Sequence, residues 1–222
     1  KDFNGLRFPS RIVQRDGGYP VLDLTITDVK SNLPVAFEVP AAIRQASAVP
    51  DTVQGEKLAD GVWMFPGTAK SIAVEFTDHV VVIDAPETEA RSIAVIDAIK
   101  KVIPGKPIRQ VINTHHHFDH SGGLRTYVAE GATIVTHAMN RPYFEKMFAA
   151  PHTLSPDRLQ KSRRAAAFET FTTKKVMTDG DKVIEIHHMP GSGHNAGLSM
   201  VYLPKQKILI EADAYNPPAQ AN

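Results

Sequence analysis

His115-His116-His117-Phe118-Asp119-His120 is the stretch of this 222-residue sequence that decides its fold. An apolar run at residues 108–112 precedes it and has the composition of a buried strand. Residues two apart in an extended chain project to the same side, so His115, His117 and Asp119 are predicted to converge on one pocket. His120 is predicted to join them where the chain turns, which gathers three imidazoles and a carboxylate in one place.

This set of side chains suits a divalent metal ion, because neutral imidazole and carboxylate are typical ligands of zinc and related ions. The alternative is a histidine-rich loop, or an expression tag inside the chain. A tag would be terminal and uniform in histidine. Here Phe118 and Asp119 interrupt the run, and Gly122-Gly123 follow it. The sequence therefore predicts a metal site, with His116 and Phe118 pointing away from it.

The pattern His-x-His-x-Asp-His at the end of a strand resembles the signature of the metallo-β-lactamase superfamily. Two later segments are similar to motifs of the same family. Residues 191–195 resemble the loop that supplies a third metal-binding histidine, here His194. Residues 211–213 resemble the strand end that supplies a bridging carboxylate, here Asp213. The resemblance extends over residues 58–213, about the length of one domain.

The resemblance implies an α/β fold, the αβ/βα sandwich of that superfamily. It also implies two metal ions. Zinc is the first choice, with iron or manganese as alternatives, because the chain has no cysteine and all ligands would be nitrogen or oxygen. The implied ligands are His115, His117 and His194 for one ion, and Asp119, His120 and Asp213 for the other.

The implied activity is that of a metal-dependent hydrolase. A metal-bound hydroxide would attack a cyclic amide, lactone, ester or thioester, and a β-lactam is the first candidate substrate. Asp119 would be the catalytic residue that orients this nucleophile and assists proton transfer. A mononuclear iron oxygenase of the same fold, acting on a sulfur substrate, is an alternative.

A second alternative is a metal-binding but inactive, truncated fragment. Members of the superfamily supply one further histidine downstream of the bridging carboxylate, and no histidine follows His194 in this sequence. We therefore expect the second half of the sandwich to be incomplete. A partner segment or homo-oligomerisation would then complete the fold, since a missing layer would leave a large apolar patch exposed.

Composition restricts the partners. The formal net charge is +1, and no basic run with interleaved aromatic residues is present, so a small-molecule substrate is expected and nucleic acid is not. No apolar stretch is long enough to cross a bilayer, and the opening residues do not form a signal peptide. The absence of cysteine excludes a disulfide framework and a thiolate ligand.

Two domains are expected: residues 1–54 as an N-terminal β-hairpin extension and linker, and residues 55–222 as the metallo-β-lactamase-like domain. The alternating residues 21–29 predict a half-buried strand paired with residues 11–14. A short helix is expected at residues 41–46. This segment also resembles the run-in of some exported superfamily members, which favours an extracytoplasmic location.

In the larger domain, hydrophobic periodicity predicts alternating strands and helices. Strands are expected at residues 61–65, 71–76, 79–84, 108–112, 133–136, 174–176, 181–189, 198–203 and 207–210. Helices are expected at residues 88–102, 121–130, 141–147 and 156–168. Asp84 has two interpretations, a carboxylate behind the metal ligands or a turn residue before Pro86. The remaining histidines are interpreted as structural: His79, His137, His152, His187 and His188.

Overall fold

A computed structural model of the chain describes residues 1–34, 36, 38–45 and 51–214. Contacts between Cα atoms divide the chain into two compact units, Lys1–Ala48 and Val49–Asn222. The longest helix in the described residues has 14 residues, and none of those helices could cross a membrane.

The first unit contains two small antiparallel ribbons and one short helix. Its elements are β1 (Asp2–Phe3), β2 (Leu6–Arg7), β3 (Arg11–Asp16), β4 (Tyr19–Thr25) and α1 (Ala41–Gln45). The predicted hairpin is confirmed as β3–β4. Its turn residues Gly17 and Gly18 both have positive φ, as a tight two-residue turn requires. The predicted half-buried face is wrong, because β4 is exposed along its whole length. The predicted helix end at Ala46 lies outside the described residues.

The second unit is built on a seven-stranded sheet. Its strands are β5 (Glu56–Ala59), β6 (Val62–Phe65), β7 (Ser71–Glu75), β8 (Val80–Ile83), β9 (Ile108–Ile112), β10 (Thr133–His137) and β11 (Ala167–Phe171). Strands β5 to β8 form an antiparallel meander. Strands β8 to β11 run parallel, so their carboxyl ends meet at one edge. The sequence predicted the meander and the central strands, and it missed β5 and β11.

A second, antiparallel sheet has four strands in sequence order: β12 (Lys174–Asp179), β13 (Lys182–His188), β14 (Ser199–Leu203) and β15 (Ile208–Ile210). The helices of this unit are α2 (Glu89–Val102), α3 (Phe118–Ser121), α4 (Leu124–Glu130), α5 (Arg141–Ala149) and α6 (Arg158–Ser162), with a 3₁₀ turn at Ala138–Asn140. Thr88 caps α2, since its Oγ1 accepts a hydrogen bond from the backbone N–H of Arg91.

Strand β8 shows how the layers form. All four of its residues are buried. Val80 and Val82 face one core, which includes the helices, whereas Val81 and Ile83 face a second core shared with the four-stranded sheet. A strand covered on both faces needs apolar residues at every position. The order of layers is therefore helices, seven-stranded sheet, four-stranded sheet, which is an α/β sandwich.

Two helix predictions need correction. The helix expected at residues 121–130 is confirmed as α4 but begins three residues later, at Leu124, and Ser121 belongs to α3. Between them lie Gly122 and Gly123, where added Cβ atoms would collide with the Glu87 carbonyl and the Ser92 hydroxyl. The helix expected at residues 156–168 is only α6, which ends at Arg163 in a left-handed conformation. Phe168 lies in β11, paired with Ile134 of β10, because parallel pairing decides the conformation there.

Candidate metal centre

Three loops at one end of the sandwich carry the predicted ligands. Strand β9 ends at Ile112 and is followed by the histidine motif. The loop between β13 and β14 carries His194, and the segment after β15 carries Asp213. In α/β sheets, ligands bind beyond the carboxyl ends of strands, where the backbone diverges and leaves room.

The first cluster consists of three histidines and a carboxylate. Ligand atoms of His115, His117, His194 and Asp213 all lie within 4.8 Å of one another. His194 Nε2 is 3.2 Å from His115 Nε2 and 2.9 Å from Asp213 Oδ2. The structure therefore brings together the residues that the sequence predicted as ligands of one ion.

The second cluster consists of Asp119, His120 and Asp213. His120 Nε2 is 3.3 Å from Asp213 Oδ1 and 3.8 Å from Asp119 Oδ2. Asp213 thus directs Oδ2 towards the first cluster and Oδ1 towards the second. The expected extended path to Asp119 is wrong, because α3 already begins at Phe118. A helical turn brings Asp119 and His120 to the second cluster.

Asp84 supports both clusters from behind. Its Oδ1 accepts a 2.8 Å hydrogen bond from the Thr114 backbone N–H. Its Oδ2 accepts from Thr114 Oγ1 at 2.8 Å and lies 2.9 Å from His120 Nδ1. The side chain is buried, and its backbone is left-handed with φ 57°. These contacts decide between the two interpretations of Asp84, because the carboxylate holds one ligand directly and a second through Thr114.

The hydrogen bonds around Asp84 also fix which ring nitrogens are free. The Thr114 hydroxyl donates to Asp84, so its oxygen accepts from His115 Nδ1, which is 3.2 Å away. His120 Nδ1 donates to the same carboxylate. Both rings then turn an Nε2 towards the clusters. Nitrogen lone pairs that converge beside a carboxylate fit a divalent cation, and this donor set suits zinc, iron or manganese.

The surroundings shift the pKa values of these histidines in opposite directions. Burial lowers the pKa of His115 to about 3, with added repulsion from His120 and His117. Burial also lowers the pKa of His117. Burial opposes the charged form of His120 too, but the hydrogen bond and charge of Asp84, together with the charges of Asp213 and Asp119, outweigh it and raise the pKa of His120 to about 9. His115 is therefore neutral near pH 7, as a metal ligand must be.

The five histidines that were interpreted as structural lie outside both clusters, and each has a polar partner. His79 contacts Asp78 and Gln110, His137 the Thr172 carbonyl, His152 Asp157, His187 Glu185, and His188 the Ala196 carbonyl. Phe118 points into solvent and is 71% exposed. The role of Thr114 was missed, because short polar side chains in loops are common and its partner Asp84 is distant in sequence.

A cavity of about 400 Å³ adjoins the second cluster. His120, Asp213 and Asp84 lie on its wall, together with apolar residues of both sheets. The cavity borders the side of the second cluster that His120 and Asp213 form.

A known protein family matches most of this chain. The model of the metallo-beta-lactamase superfamily matches residues 64–220. The chain belongs to the metallo-β-lactamase superfamily. Members of this family are metal-dependent hydrolases. The family match includes both clusters, so the fold and the family predicted from the histidine motif are confirmed.

Two curated relatives are similar over most of this chain. Metallo-beta-lactamase type 2 of Elizabethkingia meningoseptica is 30% identical over 167 residues, which are 71% of this chain and 60% of that protein. The 2,4-dinitroanisole O-demethylase subunit alpha of Nocardioides sp. (strain JS1661) is 24% identical over 185 residues, 81% of this chain and 50% of that protein. The chain thus spans half to three fifths of the length of these relatives.

Solved structures show the same fold. The metallo-beta-lactamase from Pontibacter korlensis aligns with a TM-score of 0.55 and 22% identity, covering 71% of this chain and 70% of that one. The metallo beta lactamase from Hirschia baltica aligns with a TM-score of 0.53 and 22% identity, covering 72% and 70%. At this level of identity the likeness shows the fold alone, and it confirms the α/β sandwich of this superfamily.

Proposed function

We propose that the chain forms the metal site of a hydrolase that binds two divalent ions and acts on a small molecule. The observation that supports this proposal is the position of Asp213, which presents a different oxygen to each cluster. A carboxylate in that position suits two ions placed side by side. His115, His117 and His194 would hold one ion, and Asp119 and His120 would hold the other.

Two divalent ions held by these residues would lower the pKa of a bound water towards neutrality and would polarise the oxygen of the group under attack. The chain's own residues do the rest. Asp119 faces the second cluster with a partly exposed carboxylate, so it is placed to accept a proton from the attacking water and to pass it to the leaving group. Asp84 keeps His120 oriented during this transfer. No serine or cysteine nucleophile is required.

The substrate class that we propose is a cyclic amide, lactone, ester or thioester. The near-neutral charge of the chain supports a small molecule rather than nucleic acid. One relative is named a β-lactamase and another an O-demethylase of 2,4-dinitroanisole, so a β-lactam and an aryl methyl ether both belong in the substrate panel. An extracytoplasmic location stays a proposal, supported by the resemblance of the N-terminal segment to exported members.

The test combines turnover with metal identity. Protein purified without added metal is assayed with a chromogenic cephalosporin, a homoserine lactone, a thioester and 2,4-dinitroanisole. Hydrolysis of at least one substrate is expected, with loss of activity on chelation and recovery with zinc. The matched control is His187→Ala, which removes a histidine outside both clusters. A protein that holds iron alone and hydrolyses none of these compounds would support the iron oxygenase instead, and a metal-bound protein without any turnover would support the inactive fragment.

A further inference from the structure

His116 lies between two predicted ligands but belongs to neither cluster. Its ring is half-buried and packs against Tyr143, with ring centroids 4.7 Å apart. Its Nδ1 lies 3.1 Å from Asn195 Nδ2 and 3.3 Å from Asn140 Oδ1. Asn195 directly follows the predicted ligand His194, so His116 contacts the neighbour of a ligand that is distant in sequence.

Other hydrogen bonds fix the orientation of both amides. Asn195 Oδ1 accepts from the Gly197 backbone N–H at 2.8 Å, which leaves its Nδ2 facing His116. Asn140 Nδ2 donates to the Gly197 carbonyl at 3.1 Å and to Thr136 Oγ1 at 3.2 Å, which leaves its Oδ1 facing His116. His116 Nδ1 therefore meets a donor and an acceptor. Either hydrogen bond ties the histidine motif to the loop that carries His194, directly through Asn195 or through Asn140 and Gly197.

Burial makes this arrangement rigid. Asn140 is 1% exposed and Asn195 is 7% exposed, so water cannot readily replace a lost partner. Gly197 is packed so closely that an added Cβ would overlap the Asn140 side chain. The loop between β13 and β14 is thus held against the 3₁₀ turn at Ala138–Asn140, and His116 joins the histidine motif to both.

We propose that His116 is a positioning residue that sets the distance between His194 and the pair His115 and His117. This inference rests on the proposed metal-binding function. It concerns the first cluster only. In the second cluster, Asp119 and His120 are held by α3 and Asp84, which have no contact with the amide pair among the described residues.

The test measures metal binding rather than turnover. Metal-free wild type, His116→Leu and His116→Gln are titrated with Co²⁺, and affinity and the visible d–d spectrum are recorded together with the thermal melt of the metal-free protein. His116→Leu removes the polar contacts and is expected to weaken the first Co²⁺ site about 10-fold to 100-fold and to change its spectrum. His116→Gln can still donate and accept, so it should keep most of the affinity.

Three further variants are measured in the same way. Asn195→Ala is expected to weaken the first Co²⁺ site as His116→Leu does, and the double variant should lose less affinity than the sum of the two single losses, since both single variants remove the His116–Asn195 contact. Asn195→Ala also tests the inference if His116→Leu does not fold. His187→Leu, a histidine outside the clusters, should bind Co²⁺ as wild type does.

The inference is overturned if His116→Leu and Asn195→Ala both bind Co²⁺ with wild-type affinity and spectrum while only the melt changes. It is also overturned if His116→Gln and His116→Leu lose affinity equally, since ring packing on Tyr143 would then explain the loss. If the wild-type protein binds no Co²⁺, the proposed function is refuted, and this inference is refuted with it.

Discussion

Replacing Asp84 with asparagine is expected to disable the second metal site while leaving the shape of the site intact. In the wild type, Asp84 Oδ2 accepts a hydrogen bond from His120 Nδ1. The amide introduced by Asp84→Asn would present an N–H there, because its remaining oxygen is still required by the Thr114 backbone N–H. His120 Nδ1 must then accept instead of donate. The proton moves to Nε2, the nitrogen that faces Asp119 and Asp213, and that nitrogen can no longer bind a metal.

Asp84→Asn should change both the metal affinity and the stability of the metal-free fold. Loss of a hydrogen-bond partner behind a ligand typically costs about 10-fold to 100-fold in metal affinity. The Asp84 contact also stabilises the metal-free fold, because it is a main reason that the pKa of His120 is raised from 6.5 to about 9. A shift of this size corresponds to at most about 3 kcal/mol in the free energy of unfolding at pH values below 6.5. Asp84 supplies only part of this energy, because Asp213 and Asp119 also raise the pKa of His120.

The sign of the pH dependence is fixed by the raised pKa. This stabilisation is fully present below about pH 6.5 and is lost as pH rises through about 9. The free energy of unfolding in urea of metal-free wild type should therefore exceed that of Asp84→Asn by at most about 3 kcal/mol at pH 6, and by much less at pH 10. Zn²⁺ titration should show a weakened second site. Asp181→Asn, at an exposed aspartate, is the matched control. Equal Zn²⁺ binding in wild type and Asp84→Asn, with no difference in stability at pH 6, would refute this reasoning.

Three further predictions concern the scaffold. Asp157→Ala should lower the free energy of unfolding by about 3 to 5 kcal/mol in urea titrations, because it leaves the buried Arg125 guanidinium without its carboxylate. Burial opposes ionisation of Asp157, but Arg125 outweighs this and lowers its pKa, so the pair's contribution should disappear as pH falls below the ordinary aspartate range. Gly123→Ala should cost about 1 to 3 kcal/mol, since its Cβ would overlap the Ser92 hydroxyl; an unchanged thermal melt would contradict this. The exposed apolar residues Val176 and Leu209 of the four-stranded sheet predict concentration-dependent association in light scattering, and a sharp monomer at every concentration would count against it.

The sequence was informative where one strong pattern determined the structure. Apolar runs predicted β8 and β9, and the histidine motif placed the ligands at the end of β9. The resemblance to a known family supplied His194 and Asp213, which lie far along the chain and which no local pattern would connect to His115. Strands β13 and β15 run in the same direction on either side of β14, so His194 and Asp213 follow strand ends at one edge of the antiparallel sheet, and the folded sandwich brings that edge to the end of β9.

Tertiary contacts decided the features that local patterns left open or predicted incorrectly. Gly122, which lies between α3 and α4, packs closely against the Glu87 backbone, a contact that no periodicity reveals. Phe168 fitted a helical pattern but lies in β11, because β10 offers it a partner strand. The contact between His116 and Asn195 joins residues 79 positions apart, and only the folded chain brings them together.

The most direct test of the central claim is the number of metal ions per chain. Elemental analysis is performed on protein purified without added metal, and on a variant that carries both His115→Ala and His117→Ala. The account predicts about two ions per chain in the wild type and at most one in the variant. A wild-type chain without bound metal, or a variant that retains two ions, would contradict the assignment of these residues to a dinuclear metal site.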